Sequence, residues 1–253
     1  MKTKMKTYGL IGYPLSHSFS KKYFTEKFLN EGITNHQYEL FPIENIKSLP
    51  DLLAEQTSLY GLNVTIPHKI TVLPFLNDIE EAAEKIGAIN CIAIRSFEGE
   101  TYLKGFNTDA YGFEASLKPL IEPQHTKALI FGDGGAAKAV KYILEKLNIE
   151  YKVVVRKAVP GTILYSDITA EILQSHKLLI NTTPLGMSPN VDTCPDIDYS
   201  QLDESHLAYD LVYNPLETSF LAKAAEQGSK IKNGLEMLHK QAEKAWCIWN
   251  NML

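Results

Sequence analysis

The stretch KALIFGDGGAAKAVKYILEKLN (127–148) reads as an apolar strand, a glycine turn and a helix. Its turn fits the pattern G-x-G-x-x-[GA], in which the first glycine allows the tight turn and the second lets the backbone approach a pyrophosphate. The helix N-terminus adds N–H donors and a positive dipole end. The stretch therefore predicts a dinucleotide site, with a purely structural turn as the alternative. Its residues are Gly132, Gly134, Gly135, Ala136 and Ala137.

Strands and helices continue to alternate after this stretch. YKVVV (151–155) is a second strand, KLLINTTP and LAYDLVYNP pass from strand to loop, and LETSFLAKAAEQG follows as a helix. This alternation predicts a doubly wound, Rossmann-like parallel sheet. Only residues 157–161 separate VVVR from TILYSDI, whereas a parallel crossover usually needs a dozen residues or more. We expect either a crossover without a helix or a TILY segment that is not a full strand.

The first half of the chain predicts an α/β region with mixed strand directions. YGLIG, HQYELFPI and LYGLNVTIP read as strands, and SKKYFTEKFLNEG and IENIKSLPDLLAEQ read as the helices between them. AINCIAIRS and TYLKGF flank Glu98-Gly99, which predicts a hairpin turn. The last helix, LEMLHKQAEKAWCIWNNM, carries an apolar stripe that we place back on the first half. The stripe comprises Leu235, Leu238, Ala242, Ala245, Trp246 and Trp249.

Composition excludes several classes of protein. With 253 residues, 45% of them apolar, the chain can form one large or two small globular domains. A formal charge of -5 argues against a surface built for nucleic acid or anionic lipid. No apolar run approaches the length of a membrane span or a signal peptide core. Three isolated cysteines and seven histidines without ligand spacing favour a cytoplasmic protein with neither disulfides nor metal.

The end of the second strand indicates which dinucleotide is bound. NAD sites usually place an acid there for the ribose 2′-hydroxyl. Here the strand ends Val155-Arg156-Lys157, and those two cations would attract a 2′-phosphate. NADP is therefore favoured over NAD, although a solvated basic turn is the alternative. Asp133 is unfavourable beside a diphosphate unless its carboxylate points away.

Polar residues also follow apolar runs in the first half of the chain. In GLNVTIPHKI (61–70) a strand is stopped by Pro67, and Lys69 comes directly behind the stop. PLSHSFS offers the hydroxyls of Ser18 and Ser20, which can bind a carboxylate without adding charge. GAINC offers Asn90, and GFNTDAYG offers Asp109 at a helix start. Each taken alone is more typical of a cap or turn residue, but ligand sites in α/β folds gather at such strand ends.

Eight motifs stand in one order along the chain. They are GYPLSHSFS, NVTIPHK, GAIN, GFNTD, GDGGAAKA, NTTPLGM, YDLVYNP and GLEML…Q. In these motifs the chain resembles the shikimate dehydrogenase family, from Tyr8 to about Gln241. The resemblance implies an NADP(H)-dependent oxidoreductase that reversibly reduces 3-dehydroshikimate to shikimate in chorismate and aromatic amino acid biosynthesis. The two implied domains are 1–108 plus 235–253 for substrate and 109–234 for the dinucleotide.

The resemblance also implies a role for particular residues. Lys69 and Asp109 would be the catalytic pair, and Ser18 and Ser20 would hold the shikimate carboxylate. The remaining implied substrate contacts are Thr65, Asn90, Gln241 and Tyr213, the last at the substrate or the nicotinamide. The remaining implied cofactor contacts are Thr182, Thr183 and Met237, beside the glycine turn, Arg156 and Lys157.

The sequence departs from the family pattern at three places. Val155 and Lys157 flank Arg156 where Asn-Arg-Thr or Asn-Arg-Ser is common. Asp133 stands where a small neutral residue is usual, and Glu236 stands where glycine is frequent, so we expect Glu236 to point away. The alternatives are a quinate or dual quinate/shikimate dehydrogenase using NAD or NADP, or a non-catalytic dinucleotide sensor.

Other features read as structural. The Y-x-x-x-K pairs Tyr23/Lys27 and Tyr142/Lys146 imitate a catalytic dyad, but a spacing of four on a helix arises often by chance. We expect His17 to shape its loop rather than transfer protons. The chain is expected to bind a small molecule as a monomer or homodimer, without a nucleic-acid or membrane partner.

Overall fold

The structure, a computed structural model, describes residues 5–15, 18–97 and 100–251. The predictions for His17 and for a turn at Glu98-Gly99 lie outside these residues. The contacts divide the chain into two compact units, a first unit of Met1–Thr108 with Ala242–Leu253 and a second unit of Asp109–Gln241. The predicted boundaries fall after residues 108 and 234, so residues 235–241 group with the second unit instead of the first. None of the helices in the described ranges is long and apolar enough to cross a membrane.

The first unit is built on a six-stranded mixed sheet. Its elements are β1 (Lys6–Gly12), α1 (Phe19–Asn30), β2 (His36–Pro42), α2 (Leu49–Glu55), β3 (Leu59–Val64), α3 (His68–Thr71), β4 (Asp78–Ile79), α4 (Glu81–Ile86), β5 (Cys91–Phe97) and β6 (Glu100–Phe106). The strand order is β2-β1-β3-β5-β6-β4. Strands β1, β2 and β3 are parallel, and β5 runs antiparallel to β3 and β6. The predicted mixture of strand directions is confirmed.

Helices α1 and α2 show where local sequence sets an element's end. Gly32 follows α1 with φ +63, and the N–H of Ile33 bonds back to the carbonyl of Phe28 at 2.9 Å. This left-handed glycine stops the helix. Helix α2 begins only at Leu49, after a 3₁₀ turn over Ile46–Ser48, so the longer predicted helix was wrong in its first part. Pro50 then lies in the first turn, where its missing N–H has no helical partner to lose.

The second half of the last helix, α9 (Leu235–Asn251), packs in the core of the first unit. Trp249 is 2% exposed and stacks on Tyr8 with ring centroids 4.9 Å apart. Its indole nitrogen donates to the carbonyl of Ile92 at 3.0 Å. A Cβ at Gly61, in strand β3, would lie 2.2 Å from that nitrogen, so only glycine lets the helix approach this strand. Of the apolar stripe predicted from the sequence, Ala242, Ala245, Trp246 and Trp249 pack on the first half of the chain, whereas Leu235 and Leu238 belong to the second unit.

The second unit is a doubly wound parallel sheet. Its elements are α5 (Thr108–Leu117), β7 (Lys127–Phe131), α6 (Gly135–Lys146), β8 (Glu150–Val155), β9 (Thr162–Leu164), α7 (Ala170–Ser175), β10 (Leu178–Asn181), β11 (Leu207–Asp210), α8 (Ser219–Glu226) and β12 (Lys230–Lys232). The order is β12-β11-β10-β7-β8-β9, with every pair parallel. This is the order of a dinucleotide-binding fold, with the switch point beside β7.

The short crossover predicted after β8 is present. Residues 156–161 connect β8 to β9 without a helix, and β9 has only three residues. Both expectations for this segment therefore hold. Consequently the segment after β9, which includes Tyr165, comes close to the end of β8.

Candidate active site

The glycine turn lies at the carboxyl end of β7, where strand order switches. Gly132 has φ +97, and a Cβ there would lie 2.8 Å from Cγ2 of Thr183 and 3.0 Å from Oγ1 of Thr182. Both the backbone angle and the close approach of the threonine turn therefore require glycine. Gly134 differs, because its φ of -88 is ordinary and a Cβ would meet no atom within 4 Å. The space in front of Gly134 is open, which is the space a diphosphate would fill.

Helix α6 presents its N-terminus to this open space. Its N-cap residue, Gly134, contributes no side-chain cap, and its first turn carries no acidic residue. The first N–H groups and the positive end of the helix dipole are thus available to an anion. Ala137 is buried, so the small residue in the pattern does permit close packing of helix and sheet. The residues fit a bound diphosphate.

Asp133 does not leave an uncompensated charge beside the turn. Its carboxylate oxygen Oδ1 lies 2.6 Å from Nζ of Lys141, two turns along α6. The ion pair offsets the negative charge that made Asp133 unfavourable in this position.

A cleft of about 1060 Å³ extends from the glycine turn across the ends of β8, β9 and β10. Six residues predicted as cofactor contacts line it, namely Gly132, Gly134, Arg156, Lys157, Thr182 and Thr183. The lining residues that sequence reasoning did not select include Tyr165, Ser166, Cys194 and Asp196. Tyr165 stacks on Phe131, with ring centroids 6.0 Å apart. These residues come from the segment after β9 and from the long loop after β10, and no motif marks them.

A buried carboxylate fixes the threonine turn. Asp210 accepts hydrogen bonds from Asn181 Nδ2 at 3.0 Å, from the N–H of Val212 at 2.9 Å and from the hydroxyl of Thr218 at 2.6 Å. Asn181 Oδ1 in turn accepts from the N–H and hydroxyl of Thr183 at 3.0 and 2.6 Å. Burial raises the pKa of Asp210 to about 6, against these hydrogen bonds, which lower it. Sequence alone gave no sign that this aspartate supports the cleft.

Two other predicted residues of the second unit, Met237 and Gln241, lie on α9, and Tyr213 follows β11. Met237 and Gln241 are 8% and 9% exposed. A Cβ at Gly112 would lie 2.5 Å from the carbonyl oxygen of Met237, so α5 and the start of α9 are in close contact. Tyr213 is half-buried, and burial raises the pKa of its hydroxyl. Glu236 forms ion pairs with Lys232 and with Lys240, the latter at 3.5 Å.

In the first unit, the backbone around Lys69 is held on two sides. Strand β3 ends at Val64, and the one-turn helix α3 begins four residues later. His68 is 3% exposed, and its Nε2 lies 2.7 Å from the carbonyl oxygen of Ile43. The carbonyl of Lys69 accepts from the N–H of Ile89 at 2.7 Å. Lys69 is thereby fixed, half-buried, just beyond the carboxyl end of β3.

Asn90 connects two segments that carry predicted site residues. Its side chain accepts from the N–H of Thr108 at 2.6 Å and donates to the Thr108 hydroxyl at 2.9 Å. Its carbonyl accepts from the N–H of Val64 at 2.9 Å. Asn90 is 3% exposed, so these bonds tie the end of β3 to Thr108, the residue before Asp109 in the chain.

Ser18 and Ser20 lie at the start of α1, after strand β1. The hydroxyl of Tyr38, whose pKa the nearby Ser20 side chain lowers against the larger effect of burial, donates to Asn63 Oδ1 in strand β3 at 2.8 Å. The hydroxyl oxygen of Ser18 is buried without a hydrogen-bond partner among the described residues. A buried hydroxyl without a partner costs roughly 1–3 kcal/mol, so an incoming carboxylate would relieve that cost. Ser18 and Ser20 come after strand β1, and Thr65 and Lys69 come after β3, which is the parallel neighbour of β1.

The Y-x-x-x-K pairs have partners elsewhere. Tyr23 donates to the carboxylate of Glu243, and Nζ of Lys27 lies 2.9 Å from the same carboxylate. These bonds tie α1 to the second half of α9, which is a structural role. Lys146 pairs with Glu114 at 2.7 Å. Within the described ranges, no three His, Cys, Asp or Glu side chains are grouped as metal ligands.

Replacing Gly134 with alanine tests the open space before α6. We expect dinucleotide binding to weaken by about ten- to hundredfold, since the methyl group displaces a diphosphate from one or two backbone N–H donors. Stability should change by no more than about 1 kcal/mol, because the new Cβ meets no protein atom. Calorimetric titration with NADP, beside urea unfolding of both proteins, measures the two effects. Unchanged affinity would show that no diphosphate approaches Gly134.

Comparison with known proteins places this geometry in a family. Residues 10–92 match a family model described as the shikimate dehydrogenase substrate binding domain. Shikimate dehydrogenase (NADP(+)) of Methanococcus maripaludis strain C7 is 35% identical over 100% of this chain and 94% of its own. The crystal structure of shikimate 5-dehydrogenase from Thermus thermophilus, in complex with NADP(H) and shikimate, is 31% identical with a TM-score of 0.84, covering 98% of this chain and 95% of that one. The ligand-free 5-ketofructose reductase of Gluconobacter sp. strain CHM43 is 29% identical with a TM-score of 0.82, covering 98% and 94%.

Proposed function

The chain belongs to the shikimate dehydrogenase family, and from that premise we propose that it interconverts shikimate and 3-dehydroshikimate with NADP(H). The reaction is a step of chorismate and aromatic amino acid biosynthesis. The observation that carries this proposal is the match over the whole chain to NADP-dependent shikimate dehydrogenases. The open glycine turn and the Arg156-Lys157 pair in the cleft of the second unit support the choice of cofactor.

Lys69 supplies the proton chemistry in this proposal. When bound, NADPH supplies the hydride that reduces the ketone carbon. The ammonium of Lys69 stabilises the charge that grows on the carbonyl oxygen and donates the proton to it. In the oxidative direction the neutral amine takes the proton from the shikimate hydroxyl. Asp109 is proposed as the partner that orients Lys69 and the neighbouring hydroxyl.

The remaining proposed contacts hold the substrate. Ser18 and Ser20 donate hydrogen bonds to the shikimate carboxylate, and the buried hydroxyl of Ser18 supports that role. Thr65, Asn90, Gln241 and Tyr213 are proposed to contact ring hydroxyls or the reacting centre. Thr182, Thr183 and Met237 are proposed to contact the cofactor.

A kinetic assay tests the reaction and its rivals together. Oxidation is followed by the near-ultraviolet absorbance of the reduced cofactor, with shikimate or quinate as substrate and NADP or NAD as cofactor. We expect shikimate with NADP to give the highest kcat/KM. Quinate oxidised at an equal or higher kcat/KM would indicate the quinate or dual enzyme. The 5-ketofructose reductase that shares this fold is named for a different carbonyl substrate. Absence of turnover with both shikimate and quinate would contradict the proposal.

We propose a cytoplasmic enzyme that is a monomer or homodimer. Among the described residues, Cys91, Cys194 and Cys247 form no disulfide, which suits a reducing compartment. Light scattering of the purified protein distinguishes the two oligomeric states.

A further inference from the structure

The lining of the cleft carries charges of both signs. In a doubly wound fold, the residues after the second strand face the adenosine ribose. Strand β8 is that second strand, so Arg156 and Lys157 take this place. Asp196, from the loop after β10, lines the same cleft. A carboxylate in this cleft can affect binding of the ribose 2′ substituent, which is a phosphate in NADP and a hydroxyl in NAD.

Asp196, Arg156 and Tyr165 line the same cleft, and both charges act on the Tyr165 phenol. Burial raises the pKa of the Tyr165 hydroxyl, the Arg156 charge lowers it and the Asp196 charge raises it. Both charges are therefore close enough to Tyr165, a lining residue of the cleft, to affect its ionisation. Among the described residues Asp196 forms no salt bridge, unlike Asp133, which pairs with Lys141. The charge of Asp196 is thus not offset by a direct partner.

The backbone at Asp196 is anchored. The carbonyl of Pro195 accepts from the Tyr199 hydroxyl at 2.8 Å and from the N–H of Ile197 at 3.2 Å. Cys194 and Ile197 pack against the core cluster of the second unit. These contacts on both sides hold the aspartate at the cleft instead of leaving it on a loose loop.

We propose that Asp196 weakens the preference of this enzyme for NADP over NAD, by opposing the 2′-phosphate of NADP and accepting a hydrogen bond from the 2′-hydroxyl of NAD. A 2′-phosphate carries nearly two negative charges, so it is repelled by the carboxylate as it is attracted by Arg156 and Lys157. The carboxylate thereby reduces the ratio of NADP to NAD affinity that Arg156 and Lys157 create. This inference rests on the proposed function only for the identity of the cofactor.

Asp196→Asn tests the proposal, with Asp192→Asn as its matched control. Asp192 is exposed in the same loop and is not among the residues that line the cleft. Both variants remove one negative charge, so only their positions differ. We expect Asp196→Asn to bind NADP about three- to tenfold more tightly, as removal of one charge at several ångströms in a partly solvated cleft predicts. NAD should bind equally or more weakly, and Asp192→Asn should change neither affinity.

The measurement is calorimetric binding, which needs no turnover. NADP, NAD, adenosine 2′,5′-bisphosphate and 5′-AMP are titrated at low and high salt. The gain in affinity of Asp196→Asn should appear for NADP and for adenosine 2′,5′-bisphosphate, and it should be smaller at high salt. An unchanged ratio of NADP to NAD affinity, or equal gains in both variants, would overturn the role of Asp196, and so would a wild type that binds neither dinucleotide. Tight NADP binding without shikimate oxidation would instead overturn the proposed function and leave this test decisive.

Discussion

Lys69→Met is expected to lower kcat for shikimate oxidation by about 10²- to 10⁴-fold, the range found when a general acid–base is removed. Methionine keeps most of the apolar stem of lysine but has no proton to donate or accept. The fold should persist, since the bonds that hold this segment come from His68 and from the backbone of Lys69. Initial rates at saturating shikimate and NADP measure the effect.

The control for this variant is Lys22→Met, which removes an exposed lysine from α1. It should leave kcat unchanged. NADP affinity should be close to wild type in both variants, which separates loss of chemistry from loss of cofactor binding. Turnover by Lys69→Met within tenfold of wild type would contradict the catalytic role of Lys69.

Trp249→Ala is expected to lower the free energy of unfolding of the first unit by about 3–5 kcal/mol, as for other buried aromatic side chains. The substitution leaves a cavity beside Tyr8 and removes the hydrogen bond to the carbonyl of Ile92. Urea unfolding followed by far-ultraviolet circular dichroism avoids dependence on tryptophan fluorescence. Because the chain has two compact units, the curve is fitted with two transitions where it shows two.

Trp246→Ala provides the comparison within the same helix. Trp246 is only half-buried and meets Tyr8 edge-on, with ring centroids 5.4 Å apart. Its removal should cost clearly less than that of Trp249. A loss below about 1 kcal/mol for Trp249→Ala would show that the last helix is not essential to the core of the first unit.

The glycine turn and its flanking elements could be predicted from the sequence because their causes are local. A strand of apolar residues, a glycine at positive φ and a helix with apolar periodicity specify Lys127–Phe131 and Gly135–Lys146 without reference to distant residues. The absence of a helix after β8 could also be predicted, since five or six residues cannot form one and return to the sheet. The apolar stripe of α9 indicated a buried face, although its partner Gly61 was not evident.

Several site features depended on contacts between residues far apart in the chain. The ion pair of Asp133 with Lys141 requires the geometry of α6, and the burial of Asp210 requires the packing of α8 on β11. The approach of Tyr165 and Asp196 to the end of β8 follows from the strand order and from a loop anchored on Tyr199. The sequence by itself determined the order and kind of elements and the residues that carry the family's motifs, because periodicity and backbone angles are local properties. Only the tertiary structure decided which charges are paired, which hydroxyls lack partners and which unmarked residues line the cleft, because those are properties of long-range packing.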